Sequence, residues 1–299
     1  METIEELASA KVNLTLRVLG RRRDGYHELE SLVAFATDAA DRLTFTPGPP
    51  LSVETTGPEA SSIDGANLVA TMIDAVLREH PALSVGAFHL EKNLPVAAGI
   101  GGGSADAAAA LRALARANNI TDPEAAFGVL AARFGADIPV CIGGGGRAAA
   151  FMSGVGEIVW RPPSGSLLPP DGLSALLVNP RVAVATGPVF ETLDAPLLSA
   201  ARAPGASPEP PPTFADAQAC LDYLDASGNS LEAPASRIAP VIGDVLGHLR
   251  ALPGCRLARM SGSGATCFGL FDDMEVAQRA HELLASKTAG WWIAASRLS

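Results

Sequence analysis

Pro95-Val96-Ala97-Ala98-Gly99-Ile100-Gly101-Gly102-Gly103-Ser104-Ala105-Asp106 is the stretch on which the reading of this chain turns. Four glycines in five positions let the backbone take positive φ and approach a ligand closely. Ahead of the loop, Val85 to Leu90 reads as a strand. Behind it an Ala-rich stretch runs to about Asn118, with Ala107, Leu111, Leu114 and Ala115 at helical spacing. A helix that starts straight after such a loop offers unpaired N–H groups and the positive end of its dipole to a phosphate. Ser104 is placed to cap that helix or to offer its hydroxyl to phosphate or metal. A Walker A loop is excluded, because no Gly precedes a Lys in the chain. The dinucleotide fingerprint fails at Ser104, where a third Gly is needed. The protein-kinase Asp-Phe-Gly and His-Arg-Asp segments are absent. A plain glycine-rich turn between strand and helix remains open on the loop alone.

Outward from the loop, residues 7–20 alternate as a strand (Val12, Leu14, Leu16 and Val18 against Asn13, Thr15 and Arg17). A charged turn follows at 21–27, then a second alternating region from Leu29 to about Phe45, ended by Pro47 to Pro50. Residues 66–79 read as a helix with Leu68, Met72, Ala75 and Val76 on one face. Another helix starts at Thr121-Asp122-Pro123, where Pro suits the first turn, and is expected to stop at Gly135. Pro162 to Pro170 is the candidate domain boundary, and Pro204 to Pro212 an excursion. Helices are expected near 214–226, 234–251 and 274–287, and strands near 256–261, 266–271 and 291–296. Mixed strands and helices in this order give an α+β or α/β chain of two domains, divided as 1–161 and 162–299.

The 299 residues are 48% hydrophobic and 18% charged, which is globular composition. A net charge of −10 argues against a nucleic-acid surface, which needs a basic stripe. Arg21 to Arg23 is the one basic run. Cys141, Cys220, Cys255 and Cys267 have neither zinc-ribbon nor disulfide-framework spacing, so a reducing compartment is expected. The acidic start lacks the basic segment and apolar run of a secretion signal, and no apolar stretch reaches about 18 residues. A cytoplasmic protein without membrane or nucleic-acid partners is the expectation.

The pattern Pro-x-x-x-Gly-hydrophobic-Gly-Gly-Gly-Ser resembles the phosphate loop of the galactokinase, homoserine kinase, mevalonate kinase and phosphomevalonate kinase (GHMP) superfamily. Ala10-Lys11-Val12-Asn13-Leu14 and Arg259-Met-Ser-Gly262-Ser263-Gly264-Ala265 resemble its other two motifs, in the same order. Gly20-Arg-Arg-Arg-Asp24-Gly25-Tyr26-His27-Glu-Leu is similar to the branch that acts on 4-diphosphocytidyl-2-C-methylerythritol in the methylerythritol phosphate route to isoprenoids. Gly135-Ala-Asp137-Ile-Pro139, Gly154-Val-Gly156-Glu157 and Asn179-Pro180 through Thr186 to Phe190 agree with that branch. The resemblance implies an α+β GHMP kinase fold, with a ribosomal protein S5-like N-terminal domain and a ferredoxin-like C-terminal domain.

The resemblance further implies transfer of the ATP γ-phosphoryl to the tertiary 2-hydroxyl of that substrate. Asp137 is then the general base and Lys11 its charged partner. Asn13, Tyr26, His27, Thr186 and Phe190 bind the substrate, with Tyr26 and Phe190 stacking on either side of cytosine and His27 reading its edge. Pro95, Gly99, Gly101, Gly102, Gly103, Ser104 and Ala105 hold ATP, and Gly262, Ser263 and Gly264 line the cleft. Mg²⁺ arrives as MgATP, with no protein metal ligand assigned. The expected partners are the small-molecule substrate and ATP, and the expected state is a monomer or weak homodimer.

Four departures stand out. Ala105 replaces a second loop Ser, and Val33 stands where an aromatic often helps line the cytidine pocket. Gly143 to Gly146 lengthens the turn after Asp137, and Ser230 stands in Gly228-Asn-Ser-Leu-Glu232 where the branch has Asp. Three rivals remain at this point: a homoserine or mevalonate-type kinase of the same superfamily, a non-catalytic nucleotide-binding protein, and a dinucleotide-dependent oxidoreductase.

Overall fold

A computed structural model describes residues 2–48, 50–63, 65, 67–162, 165–198, 214 and 216–299. The Pro204 to Pro212 excursion lies outside these residues, as do two residues of the candidate boundary. The first elements are β1 (Ile4–Asn13), β2 (Arg17–Arg21), β3 (His27–Pro47), β4 (Ser52–Thr56), α1 (Leu68–Glu79) and β5 (Gly86–Glu91). Then come α2 (Gly102–Ala117), α3 (Pro123–Ala131), α4 (Ile138–Ile142), β6 (Ala150–Gly154), β7 (Ile158–Trp160), β8 (Leu173–Asn179) and α5 (Thr186–Glu191). The last are α6 (Ala217–Ser227), α7 (Glu232–Ile238), α8 (Val241–Arg250), β9 (Cys255–Met260), β10 (Cys267–Phe271), α9 (Met274–Ala285) and β11 (Trp292–Leu298). Among the described residues no helix is long and apolar enough to cross a membrane.

The chain divides into two compact units, each discontinuous in sequence. The first comprises Met1–Lys11, Ala39–Val96 and Gly101–Ala148. In it the end of β3 pairs antiparallel with β5, and β5 pairs in parallel with β4. Phe45 and Phe88 stack in the sheet's core at 4.4 Å between ring centroids. Asn67 caps α1 by accepting the N–H of Val69 at 2.8 Å, a contact worth ~1 kcal/mol at such a position. The Ala-rich stretch forms α2, and residues 105 to 115 are buried on every side of it. The sequence pattern marks a single face; small alanines let neighbours close over the rest. Arg112 is carried inside by bonds to Glu6 and to the carbonyls of Leu7 and Cys141. The Gly143 to Gly146 turn packs against that guanidinium, with Gly146 placing a notional Cβ 3.0 Å from Arg112 Nη1.

Two expectations fail locally in this unit. α3 ends at Ala131 rather than reaching Gly135, because Arg133 and Phe134 bond carbonyls three residues back and tighten the chain out of the α-helix. Asp137, which the expected stop at Gly135 would leave just past a helix end, instead immediately precedes the short α4.

The second unit comprises Val12–Asp38, Ala97–Ile100 and Ala149–Ser299. Here β9, β10, β8 and β11 lie side by side, all antiparallel, in register from Trp292 opposite Asn179 to Leu298 opposite Leu173. The start of β3 pairs with β2 and β6. Helices α8 and α9 cover the sheet through Ile242, Val245, Leu249, Ala277, Ala280 and Leu284. Residues 7–20 are two strands rather than one. The break comes where Leu14 and Thr15 both turn their N–H to the carbonyl of Leu32. The helix expected over 234–251 is likewise two, α7 and α8, because Pro240 cannot supply a helical N–H and disfavours the α conformation before it.

Candidate active site

In the first unit, Lys11 near the end of β1 and Asp137 at the start of α4 form an ion pair, Nζ to Oδ1 at 2.7 Å. The lysine side chain is 4% exposed and the aspartate 36%, so the pair has one buried end and one open end. A buried ammonium demands a partner, and Asp137 supplies it from 126 positions away. Gly101 lies against the pair: a Cβ there would sit 3.3 Å from Lys11 Cβ and 3.8 Å from Asp137 Oδ2. With φ 62°, Gly101 also takes the left-handed conformation that starts α2. Ser104 follows in the first turn, its hydroxyl beside Gly135. The helix N-terminus, its glycines, a cation and a carboxylate therefore share one small region.

In the second unit the rest of the loop, Ala97 to Ile100, is held by three bonds or contacts. The Ala98 carbonyl accepts Thr266 N–H at 3.1 Å, and the Gly99 carbonyl accepts the Ser261 hydroxyl at 3.1 Å. A Cβ at Gly99 would fall 2.5 Å from the Gly264 carbonyl, so no side chain fits there. Gly262 to Gly264 makes the turn joining β9 to β10, beside the Asn13 side chain. Asn13 donates its amide to Ser31 at 2.8 Å, and its backbone N–H reaches Ser261. Thr186 and Ser263 share a hydroxyl contact at 2.9 Å.

A cavity of about 650 Å³ opens in this same unit. Tyr26, His27, Thr186 and Phe190 all line it, with Arg21 and Val155. His27 and Phe190 stack against each other at 4.9 Å between centroids, tilted 30°. Tyr26 is 64% exposed, a free aromatic face beside that pair. Partial burial, and secondly the Arg21 charge, lower the His27 pKa below its ordinary 6.5. The imidazole is thus neutral at neutral pH, able to donate at one nitrogen and accept at the other. Val33 takes no part in this wall: it is fully buried opposite Ala150 in the β3–β6 ladder.

Residues beyond those marked in the sequence complete these groups. Asn229 donates to the carbonyls of Met260 and Gly262, at 2.7 and 2.9 Å, and so steadies the turn after β9. Glu232 accepts the Met260 N–H. Ser230, standing where the branch has Asp, accepts the Val18 N–H at 3.1 Å. The segment Gly228 to Glu232 was the available signal, since an Asn beside a Gly often bonds backbone. In the first unit Lys92, Asp41 and Asp106 form a buried ionic cluster at the loop's root. A lone lysine between strand β5 and the glycine loop was its trace in the sequence.

Comparison with known proteins agrees with these motifs. The GHMP kinases N terminal domain matches residues 67–154 and the GHMP kinases C terminal domain residues 214–287. A 4-diphosphocytidyl-2-C-methyl-D-erythritol kinase of Methylobacterium radiotolerans is 49% identical, covering 98% of each chain. One of Rhodopseudomonas palustris is 48% identical over 99% of this chain and 98% of its own. A crystal structure of a 4-(cytidine 5'-diphospho)-2C-methyl-D-erythritol kinase superposes with TM-score 0.74 at 34% identity, covering 99% of both chains. Homoserine kinase of Cytophaga hutchinsonii, at 16% identity and TM-score 0.64, covers 100% of this chain and 95% of its own and shares the fold. The chain belongs to the 4-diphosphocytidyl-2-C-methyl-D-erythritol kinase family of the GHMP kinases.

Proposed function

We propose that the Lys11–Asp137 pair carries out the chemistry of this chain. The chain is a small-molecule kinase, and its reaction is ATP-dependent phosphorylation of the 2-hydroxyl of 4-diphosphocytidyl-2-C-methyl-D-erythritol, in isoprenoid precursor synthesis. A tertiary alcohol is hindered and weakly acidic, so its proton must leave as the phosphoryl arrives. Asp137 takes that proton. Lys11 holds the carboxylate in place and offsets the charge that develops on the transferred group. Transfer of this kind depends mainly on positioning and charge stabilisation. The observation that carries this reading is the 2.7 Å ion pair set against Gly101 at the start of α2.

Gly101, Gly102, Gly103 and Ser104 cradle the ATP phosphates, with Pro95, Gly99 and Ala105 shaping the loop. Mg²⁺ would come with the nucleotide, and the Ser104 hydroxyl at the start of α2 is the side chain that would help to hold it. Among the described residues, no three His, Cys, Asp or Glu side chains gather as a metal site. When bound, the ion neutralises phosphate charge. Cytosine stacks between Tyr26 and Phe190, and His27 reads its edge. Asn13 and Thr186 contact the remainder of the substrate, and Gly262 to Gly264 lines its path.

The division into 1–161 and 162–299 is supported by the two family matches, which fall on either side of it, whereas the compact units interleave across it, with 12–38 and 97–100 grouping with 149–299. A cytoplasmic setting accords with four cysteines that form no disulfide among the described residues. The testing experiment offers the cytidine compound, homoserine and mevalonate side by side with MgATP and follows ADP release. Turnover with the cytidine compound alone is expected. Turnover with another alcohol would overturn the roles given to Tyr26, His27 and Phe190.

A further inference from the structure

The Lys92 ammonium lies under the start of α2. It pairs with Asp41 on β3 and, at 2.7 Å, with Asp106, the fifth residue of α2. The three side chains are 3%, 0% and 5% exposed. A Cβ at Gly102 would come within 3.2 Å of Lys92 Nζ, so the ammonium touches the first residue of the helix. The other Asp41 oxygen accepts the backbone N–H groups of Asn93 and Leu94, the latter at 2.7 Å. Leu94 immediately precedes Pro95. One cluster thus grips the chain where it enters the glycine loop and the helix by which it leaves.

We propose that the Lys92–Asp41–Asp106 cluster is a positioning device for ATP: it fixes the separation of the two ends of the loop, so that the N–H groups at the start of α2 meet the phosphates. The inference rests on the reading of that loop as the ATP site. Stability alone does not call for an ionic cluster here, since buried ion pairs seldom outperform well-packed apolar groups. Asp106 Oδ1 moreover has no hydrogen-bond partner, a cost that packing does not require. What the charges add is direction. An ammonium donates at defined angles, and Asp41 accepts with both oxygens, one from Lys92 and one from two successive backbone amides.

Burial and mutual pairing act together on the ionisable groups of the cluster. Desolvation opposes the Lys92 charge, but Asp106 and Asp41 together outweigh it and keep the ammonium protonated. Burial pushes the Asp106 carboxyl well above the usual carboxylate range; Lys92 resists that shift and Asp41 adds to it.

The test compares wild type, Asp106→Ala, Asp106→Asn and Asp41→Asn. It reads KM for ATP, KM for the cytidine substrate, equilibrium binding of a non-hydrolysable ATP analogue, and thermal unfolding. Asp106→Ala is expected to raise KM for ATP and weaken analogue binding about tenfold or more, as a misplaced binding loop does. KM for the cytidine substrate should stay within about twofold in the same variant. Asp106→Asn keeps an acceptor for the ammonium and should recover most of the loss. Should Asp106→Ala not fold, Asp41→Asn carries the test, because one amide oxygen cannot serve all the donors Asp41 now holds. An unchanged KM for ATP in a folded variant, with kcat falling only as the folded fraction falls, would make the cluster merely structural and overturn the proposal. If wild type itself bound no ATP analogue, the reading of the loop would fail, a result distinct from a wild type that binds and variants that bind equally well.

Discussion

Lys11 Nζ lies 2.7 Å from Asp137 Oδ1, and the start of α2 at Gly101 is packed against both residues. Only the aspartate is substantially open to solvent. On the proposed reading Asp137 is the reachable base and Lys11 the buried cation that holds it. Asp137→Asn keeps the shape and an acceptor oxygen but cannot take a proton at working pH. Turnover should fall roughly 10²–10⁴-fold, the range lost with a general base. Unfolding temperature and ATP-analogue binding should stay near wild type. Near-normal turnover in the folded variant would remove Asp137 from the chemistry.

Lys11→Met retains most of the stem that fills the buried site and removes the charge. Its turnover should drop about 10²–10³-fold, the loss typical of one charge-stabilising donor. Lys11→Arg should not restore it, because a planar fork does not occupy the space of a compact ammonium. Single-turnover measurements with both substrates saturating check this. A rate unchanged from wild type would show that the lysine serves the fold alone.

The His27 ring offers a pH test. Its pKa is depressed by burial and then by Arg21, so it is neutral above its ordinary value of 6.5. A depressed basic group binds fewer protons folded than unfolded in the window just below 6.5, so this residue's contribution is constant above that value and is lost as pH falls. KM for the cytidine substrate should be flat from neutral pH down to about 6.5 and rise toward about pH 5. His27→Gln, which cannot charge, should flatten that profile. The same pH-dependent rise in the variant would place the titration elsewhere.

Phe190 stacks on His27 at the wall of the 650 Å³ cavity. Phe190→Ala should weaken the cytidine substrate by about 1–3 kcal/mol, the worth of one base stack, or roughly 5- to 150-fold in affinity. KM for ATP should not follow. Titration of the variant with each substrate separately checks this, and an equal loss for both would mean general loosening of the unit.

The residues that the structure brings together in these two groups were legible in the sequence; the roles given to them rest on the proposed reading. Lys11 was marked by the Ala10 to Leu14 motif, and the Gly99 to Ser104 run by glycines that open onto a helix N-terminus. Tyr26 and His27 were marked by their segment, and the cavity gathers them with Thr186 and Phe190. What periodicity missed came from tertiary competition. β1 and β2 separate because backbone groups of Leu14 and Thr15 turn to Leu32, a partner that no local window contains. The end of α3 is set by three-residue bonds rather than by the nearest glycine. Lys92, Asp41 and Asp106 escaped notice because each alone reads as an ordinary surface charge. Only their meeting across 51 and 14 positions gives them meaning. Asn229 is of the same kind, a polar residue whose work is to hold carbonyls 31 and 33 positions away.

The most direct test of the central claim is the phosphorus NMR spectrum of the product formed by purified protein from MgATP and 4-diphosphocytidyl-2-C-methyl-D-erythritol. The account predicts one new phosphomonoester resonance, from phosphate on the tertiary C2 oxygen, formed in step with ADP and with the diphosphate signals of the substrate retained. A phosphoryl group on any other hydroxyl, or ADP released with inorganic phosphate in place of that resonance, would contradict it.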